Sequence, residues 1–161
     1  VQRDCRNGDP GRKPLRSGLA NTLKTEESPM GISIDKVLSD GKATLTLLKV
    51  LADNSFDSIL ITDATSAGKI MYANNAFKKL TGYTKEEAIG KTPRILQGPA
   101  TDQSVINRLR QALETGKTFE GRAINYKKDK TPFIMHWRVL PIKSGAKVCG
   151  WIAIQREVSG L

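Results

Sequence analysis

The order of the apolar patterns predicts an α+β fold on an antiparallel sheet. A helical pattern comes first, then two strands joined by a glycine-containing turn, several short helices, and three strands in succession. Strands gathered on either side of a helical insert indicate an antiparallel sheet with its helices on one face. Five strands over roughly 110 residues bury enough surface for one core and one internal cavity.

Residues 1–38 carry Gly, Pro, Ser, Asn and charge without an apolar period, which predicts a mobile tail. Over residues 39–53, Leu45, Leu48, Leu51 and Ala52 recur at helical spacing and predict an amphipathic flanking helix. Its apolar side needs a cover, either a sheet or a second copy of the chain. Residues 54–160 form the predicted folded domain. There, DSILITD and KIMYAN read as a hairpin turning at Ser66 to Gly68, followed by helices in NAFKKLTGY and TKEEAIG. Thr84 and Glu87 have capping-box spacing, and Gly90 stands where a helix would stop. A helix follows from Asp102 to Gly116, with Val105, Leu109, Ala112 and Leu113 on its apolar side. The three closing strands are TFEGRAINYKK, TPFIMHWRVLPI and KVCGWIAIQREV.

The 161 residues suit one domain with a flanking segment, and 39% hydrophobic with 26% charged residues describes a globular chain. Neither a secretory leader nor an apolar run approaching 20 residues is visible, so no membrane span is expected. Two cysteines, Cys5 and Cys149, make neither a disulfide framework nor a metal site. A cytoplasmic, reducing setting is expected. The net charge of +10 is not an arm: residues 1–41 hold seven basic against six acidic residues, and residues 42–161 nineteen against ten. Lys127, Lys128 and Lys130 cluster without interleaved aromatics, which reads as a hairpin tip and not as a nucleic-acid surface. The chain lacks a Ser–His–Asp pattern, HExxH or P-loop, so no enzyme is expected.

The stretch GKTPRILQ, residues 90–97, sets a guanidinium (Arg94) and a carboxamide (Gln97) about one turn apart, so both can enter one cavity. Together with ITD, YANNAFKKLTGYTKEEAIG, LQGPATD, INYKKD and AIQREVSG, it resembles a PAS domain of the flavin-binding LOV (light, oxygen, voltage) subgroup, over residues 54–160. The resemblance implies a five-stranded antiparallel sheet whose short helices enclose flavin mononucleotide (FMN). It also assigns Arg94 and Arg110 to the phosphate, Gln97 to the ribityl hydroxyls, and Asn125 to the pyrimidine edge. Gln155 would stand beside flavin O4 and N5, passing the signal to the outer face of the sheet. Two guanidinium forks suit a phosphate, and a carboxamide answers both a carbonyl and an N–H.

Three positions depart from the family: Pro93, Met135, and Ala153, which stands where the family usually has Gly. Its photoactive motif, GxNCRFLQ, has a cysteine where this chain has Pro93, so no cysteinyl adduct can form there. Cys149 cannot substitute, because six residues of strand put it about 20 Å from Gln155. Met135 replaces an Asn that would read the pyrimidine, a loss of about one to two powers of ten in affinity. Alternation places Met135, Trp137 and Val139 on one face with Trp151, Ala153 and Gln155, while His136 points the other way, away from any ligating role.

Two functions follow. One is a sensory domain that binds FMN non-covalently and responds to blue light or redox state by photoreduction, with the tryptophans as electron donors. The other is an interaction module that takes no flavin because Met135, Trp137 and Trp151 fill the pocket. In either case a homodimer is expected through the outer sheet face and the Leu45–Leu51 helix, with an effector or partner protein unidentified.

Overall fold

The computed structural model describes residues 34–160. Most of the expected tail, and Cys5 with it, lies outside those residues. At Ile34–Ser39, where the tail reading still ran, the chain is helical (α1), with Ile34, Val37 and Leu38 at helical spacing. The flanking helix α2 follows at Gly41–Asp53, where the Asp40 carboxylate caps it by accepting from the Lys42 and Ala43 amides.

The sheet comprises β1 (Ser58–Asp63), β2 (Ile70–Ala73), β3 (Phe119–Tyr126), β4 (Pro132–Ser144) and β5 (Lys147–Glu157). Its order is β2-β1-β5-β4-β3 with every pair antiparallel, so the first and last strands meet at the centre. Between β2 and β3 the chain forms α3 (Asn75–Thr81), α4 (Lys85–Ala88), a 3-10 turn at Pro93–Leu96, and α5 (Gln103–Glu114). The Thr84–Glu87 capping box forms as its spacing predicts, and Gly90 takes a left-handed φ of 79° just beyond α4. These segments roof one face of the sheet. Leu60, Phe77, Leu96, Phe119 and Trp137 are buried between the two layers.

The opposite face carries Ile59, Ile61, Ile152, Ile154 and Leu140, all half-buried, beside His136, Arg138 and Arg156. His136 meets Glu120 at 2.9 Å on that outer face. At the hairpin tip, Lys127 pairs with Glu157 and Lys128 with Glu87. Both pairs draw on carboxylates of the domain itself.

The expectation that α2 covers its own sheet is not met. Leu45, Leu48 and Leu51 are 68%, 57% and 60% exposed, and no residue of α2 is buried. The helix is held at its C-terminal end instead. Tyr72 donates its hydroxyl to Asp53 at 2.7 Å, Asn74 Nδ2 donates to the Ala52 carbonyl at 2.8 Å, and Lys49 and Lys85 add ion pairs to Asp53. The Lys49 ammonium and then the Tyr72 hydroxyl hold the Asp53 carboxyl down at about 2. Burial, and then Asp53, pushes the Tyr72 phenol up to about 12, so it remains a donor. Asp53 has a folded value below its unfolded one of about 3.9, so its contribution is present above about pH 4 and disappears as pH falls through about 2. Hydrogen exchange followed down an acid titration should therefore show α2 loosening in that window. Asp53→Asn should remove the step.

Candidate functional site

Alternation along three neighbouring strands builds the floor of a cavity. Across the sheet, Ser58, Gln155, Trp137 and Gly121 lie opposite one another, and the next row holds Leu60, Ala153, Val139 and Phe119. Side chains alternate between faces, so these rows share the roofed side. Over them stand the 3-10 turn and α5, which contributes Ile106, Leu109, Arg110 and Leu113. The enclosed space is about 620 Å³, within the usual range of ligand pockets.

All seven residues singled out from the sequence, Pro93, Arg94, Gln97, Arg110, Asn125, Met135 and Gln155, line this one cavity. Asn125 and Gln155 are buried, Gln97 is half-buried, and Arg94 and Arg110 are exposed at the rim. Trp137 and Trp151 do not fill the space, contrary to one of the two sequence readings. Trp137 lies against Phe119 with ring centroids 5.5 Å apart and planes at 43°, and Trp151 sits across from Thr62. Both indoles therefore act as wall, as Met135 does.

The hydrogen bonding separates structural polar groups from idle ones. Gln155 Oε1 accepts from the Ser58 hydroxyl at 3.1 Å, and Asn125 Nδ2 donates to the Ala123 carbonyl at 3.3 Å. Among the described residues, Gln155 Nε2, Asn125 Oδ1, the Gln97 amide and the Arg94 guanidinium have no partner, and no fully enclosed side-chain polar atom is left unsatisfied. All four residues line the cavity, and Gln155 also borders a second, smaller hollow. Arg110 spends one N–H on Asn107 at 3.2 Å. Arg108 is diverted away, with its guanidinium 6.0 Å above the Phe119 ring.

Local sequence fixes these positions. Pro93 occupies the first position of the 3-10 turn, where a missing N–H costs no hydrogen bond. After Gln97, the Thr101 hydroxyl accepts from the Gly98 amide at 3.0 Å and donates to the Ile124 carbonyl at 2.8 Å. The Ala100 amide donates to the Tyr126 hydroxyl at 3.0 Å, pinning this loop to β3.

Sequence reasoning missed the loop from Thr62 to Gly68, which forms part of the mouth. It brings Asp63, whose carboxyl is held below its usual range by the Thr65 hydroxyl. Ser58 was missed as well, although its place two residues before Leu60 puts it on the cavity face. Cys149 is exposed and does not line the cavity. Among the described residues, no group of three His, Cys, Asp or Glu side chains could hold a metal, and no helix is long and apolar enough to cross a membrane.

A Cβ on Gly98 would stand 2.3 Å from the Tyr126 ring. Gly98→Ala should lower stability by about 1–3 kcal/mol through that overlap. With Tyr126→Leu added, the loss in thermal denaturation should be smaller than the sum of the two single changes.

The comparisons with known proteins point the same way. A family model described as PAS domain matches residues 57–160. Phototropin-1B of Oryza sativa subsp. japonica is 35% identical over 167 residues, which take in 99% of this chain and 17% of the phototropin. The blue-light photoreceptor of Listeria monocytogenes is 31% identical over 70% of this chain and 45% of its own length. The chain thus spans less than half the length of these curated relatives. A solved light-oxygen-voltage domain, studied with a flavin analogue, superposes with a TM-score of 0.65 at 31% identity over 71% of this chain and 85% of that one. The light-state Aureochrome1 LOV domain gives 0.62 at 28% over 71% and 88%.

Proposed function

We propose that this chain, which belongs to the PAS domain family, is a light- or redox-responsive sensory domain of the LOV kind that holds FMN without a covalent bond. The observation that carries the reading is the set of polar groups with hydrogen-bonding capacity to spare around one cavity: Arg94 and Arg110 at the rim, Gln97 inside it, and Asn125 and Gln155 at the buried end. Cationic forks at an open mouth suit a phosphate that stays near water. Gln155 Nε2 and Asn125 Oδ1 are a donor and an acceptor for the alternating edge of a flavin. Apolar walls from Leu96, Met135, Val139 and the two tryptophans suit its ring system.

When bound, FMN supplies blue-light absorption and one-electron chemistry. The protein's part is to orient it, exclude water from its ring and offer a changeable hydrogen bond. Pro93 supplies no thiol, so a cysteinyl bond is not available at its position. The indoles of Trp137 and Trp151 are oxidisable groups in the wall, and a solution thiol would restore them. Gln155 presents one face of its amide to Ser58 and the other to the cavity, so it can exchange donor for acceptor there.

The purified protein should be yellow or take up FMN from solution, and blue light with a thiol present should bleach it without the cysteinyl-adduct spectrum. A preparation that stays colourless after refolding with excess FMN overturns the reading. Arg94→Ala and Arg110→Ala should each weaken FMN by about one to two powers of ten and riboflavin, which lacks the phosphate, far less. A binding titration with both ligands measures this.

We also propose that the output passes through a homodimer formed by α2 and the outer sheet face, because among the described residues Leu45, Leu48 and Leu51 are exposed and the outer isoleucines only half-buried. Leu48→Asp should leave the melting transition almost unmoved, since Leu48 is exposed, while shifting light-scattering mass toward the monomer.

A further inference from the structure

The Ser58–Gln155 pair has a second side. Gln155 lines the main cavity and, with Ser58, a smaller hollow of about 270 Å³ beside Phe56, Ala76 and Leu80, so its side chain is a partition between the cavity and the surface near α3. One residue before Ser58, the Asp57 carbonyl accepts from Asn74 Nδ2 at 2.9 Å. The same amide nitrogen donates to the Ala52 carbonyl in the last turn of α2 at 2.8 Å. Its oxygen accepts from the Ile59 amide at 2.9 Å and from Phe77 at 3.1 Å. Asn74 is 0% exposed, and all four of these contacts are to backbone.

We propose that Asn74 is a positioning residue that couples the Ser58–Gln155 pair in the cavity wall to the docking of α2. The physical basis is that one carboxamide ties the entrance of β1 on both sides of Ser58, at Asp57 and Ile59, and ties the end of α2 with the same nitrogen. Ser58 now donates to Gln155 Oε1. If Gln155 turned its amide to present Nε2, the serine would have to accept, and its proton would need another direction. A shift of Ser58 accompanying that exchange would carry the Asp57 carbonyl with it, and the Asn74 amide would then follow or give up one of its two carbonyls. The element with two states is the seat of α2, held otherwise by the Tyr72–Asp53 contact and the ion pairs to Asp53. The inference rests on the proposed function only in that a ligand would be what turns Gln155. The coupling itself is a property of the chain.

The test is hydrogen exchange on the full chain, resolved by peptide, with flavin content recorded for each sample. Ser58→Ala should speed exchange at Val50 to Asn54 several-fold, up to about tenfold, and leave β4 unchanged. Asn74→Ser keeps a cap for α3 but cannot hold both carbonyls, and should speed the same amides at least as much. Combining the two should add little beyond Asn74→Ser alone, as for groups acting in series. Normal α2 exchange in Ser58→Ala, or full additivity in the double variant, overturns the coupling. If Asn74→Ser fails to fold, the Ser58→Ala result alone decides. Protein without flavin that still shows the Ser58→Ala effect keeps the coupling and removes the flavin reading. Flavin-loaded protein without the effect does the opposite.

Discussion

Alternation along β5 is the constraint on which the rest of this structure depends. With β1 on one side and β4 on the other, Trp151, Ala153 and Gln155 must share a face, and Ile152 and Ile154 must share the other. One slip of register would carry Gln155 to the outer face and put isoleucines in the cavity. Six consecutive pairs to β1, and eight to β4 before a register shift at Ile142/Lys143, hold this register. The floor is therefore rigid, and whatever changes on signalling must be a side chain on it or a segment tied to its rim.

The roof obeys a different logic. It consists of short helices and one 3-10 turn, each stopped by a cap or a glycine, with the loop after Gln97 pinned to β3 by Thr101 and Tyr126. α3, α4 and the 3-10 turn are ordered largely by hydrogen bonds at their ends, while α5 packs Val105, Leu109 and Leu113 against the core. Pro93 fits the same pattern: it starts its turn without a backbone donor and costs the local structure nothing.

The strands, their pairing and the main cavity residues were legible in the sequence because each depends on short-range pattern. Period two put Met135, Trp137 and Gln155 together, and the Arg94–Gln97 spacing put both at one mouth. What escaped notice depends on distance through space. The bulk of two indoles suggested a filled pocket, yet the direction each ring takes is set by neighbours such as Phe119, which no spacing reveals. Leu45, Leu48 and Leu51 announced a helix with an apolar side but not what that side meets. Asn74 resembled an ordinary helix cap. Its second duty to Ala52 and Asp57 requires residues 22 and 17 positions away to arrive at the same place.

The idle polar groups bear most directly on function. A carboxamide or guanidinium inside a protein normally finds a partner, because leaving it unmet costs about 1–3 kcal/mol. Here the surrounding polar side chains do so: Ser58, Asn74, Thr81 and Thr101 are buried and all bonded. Asn125 and Gln155 are buried and each meets one protein partner, which leaves one amide atom of each unspent, while Arg94 and Arg110 stand exposed at the rim. Random surface polarity would not sort itself by depth. A ligand with an alternating polar edge at one end and an anion at the other accounts for that order. An apolar filler accounts for the walls but offers nothing to Gln155 Nε2 and Asn125 Oδ1.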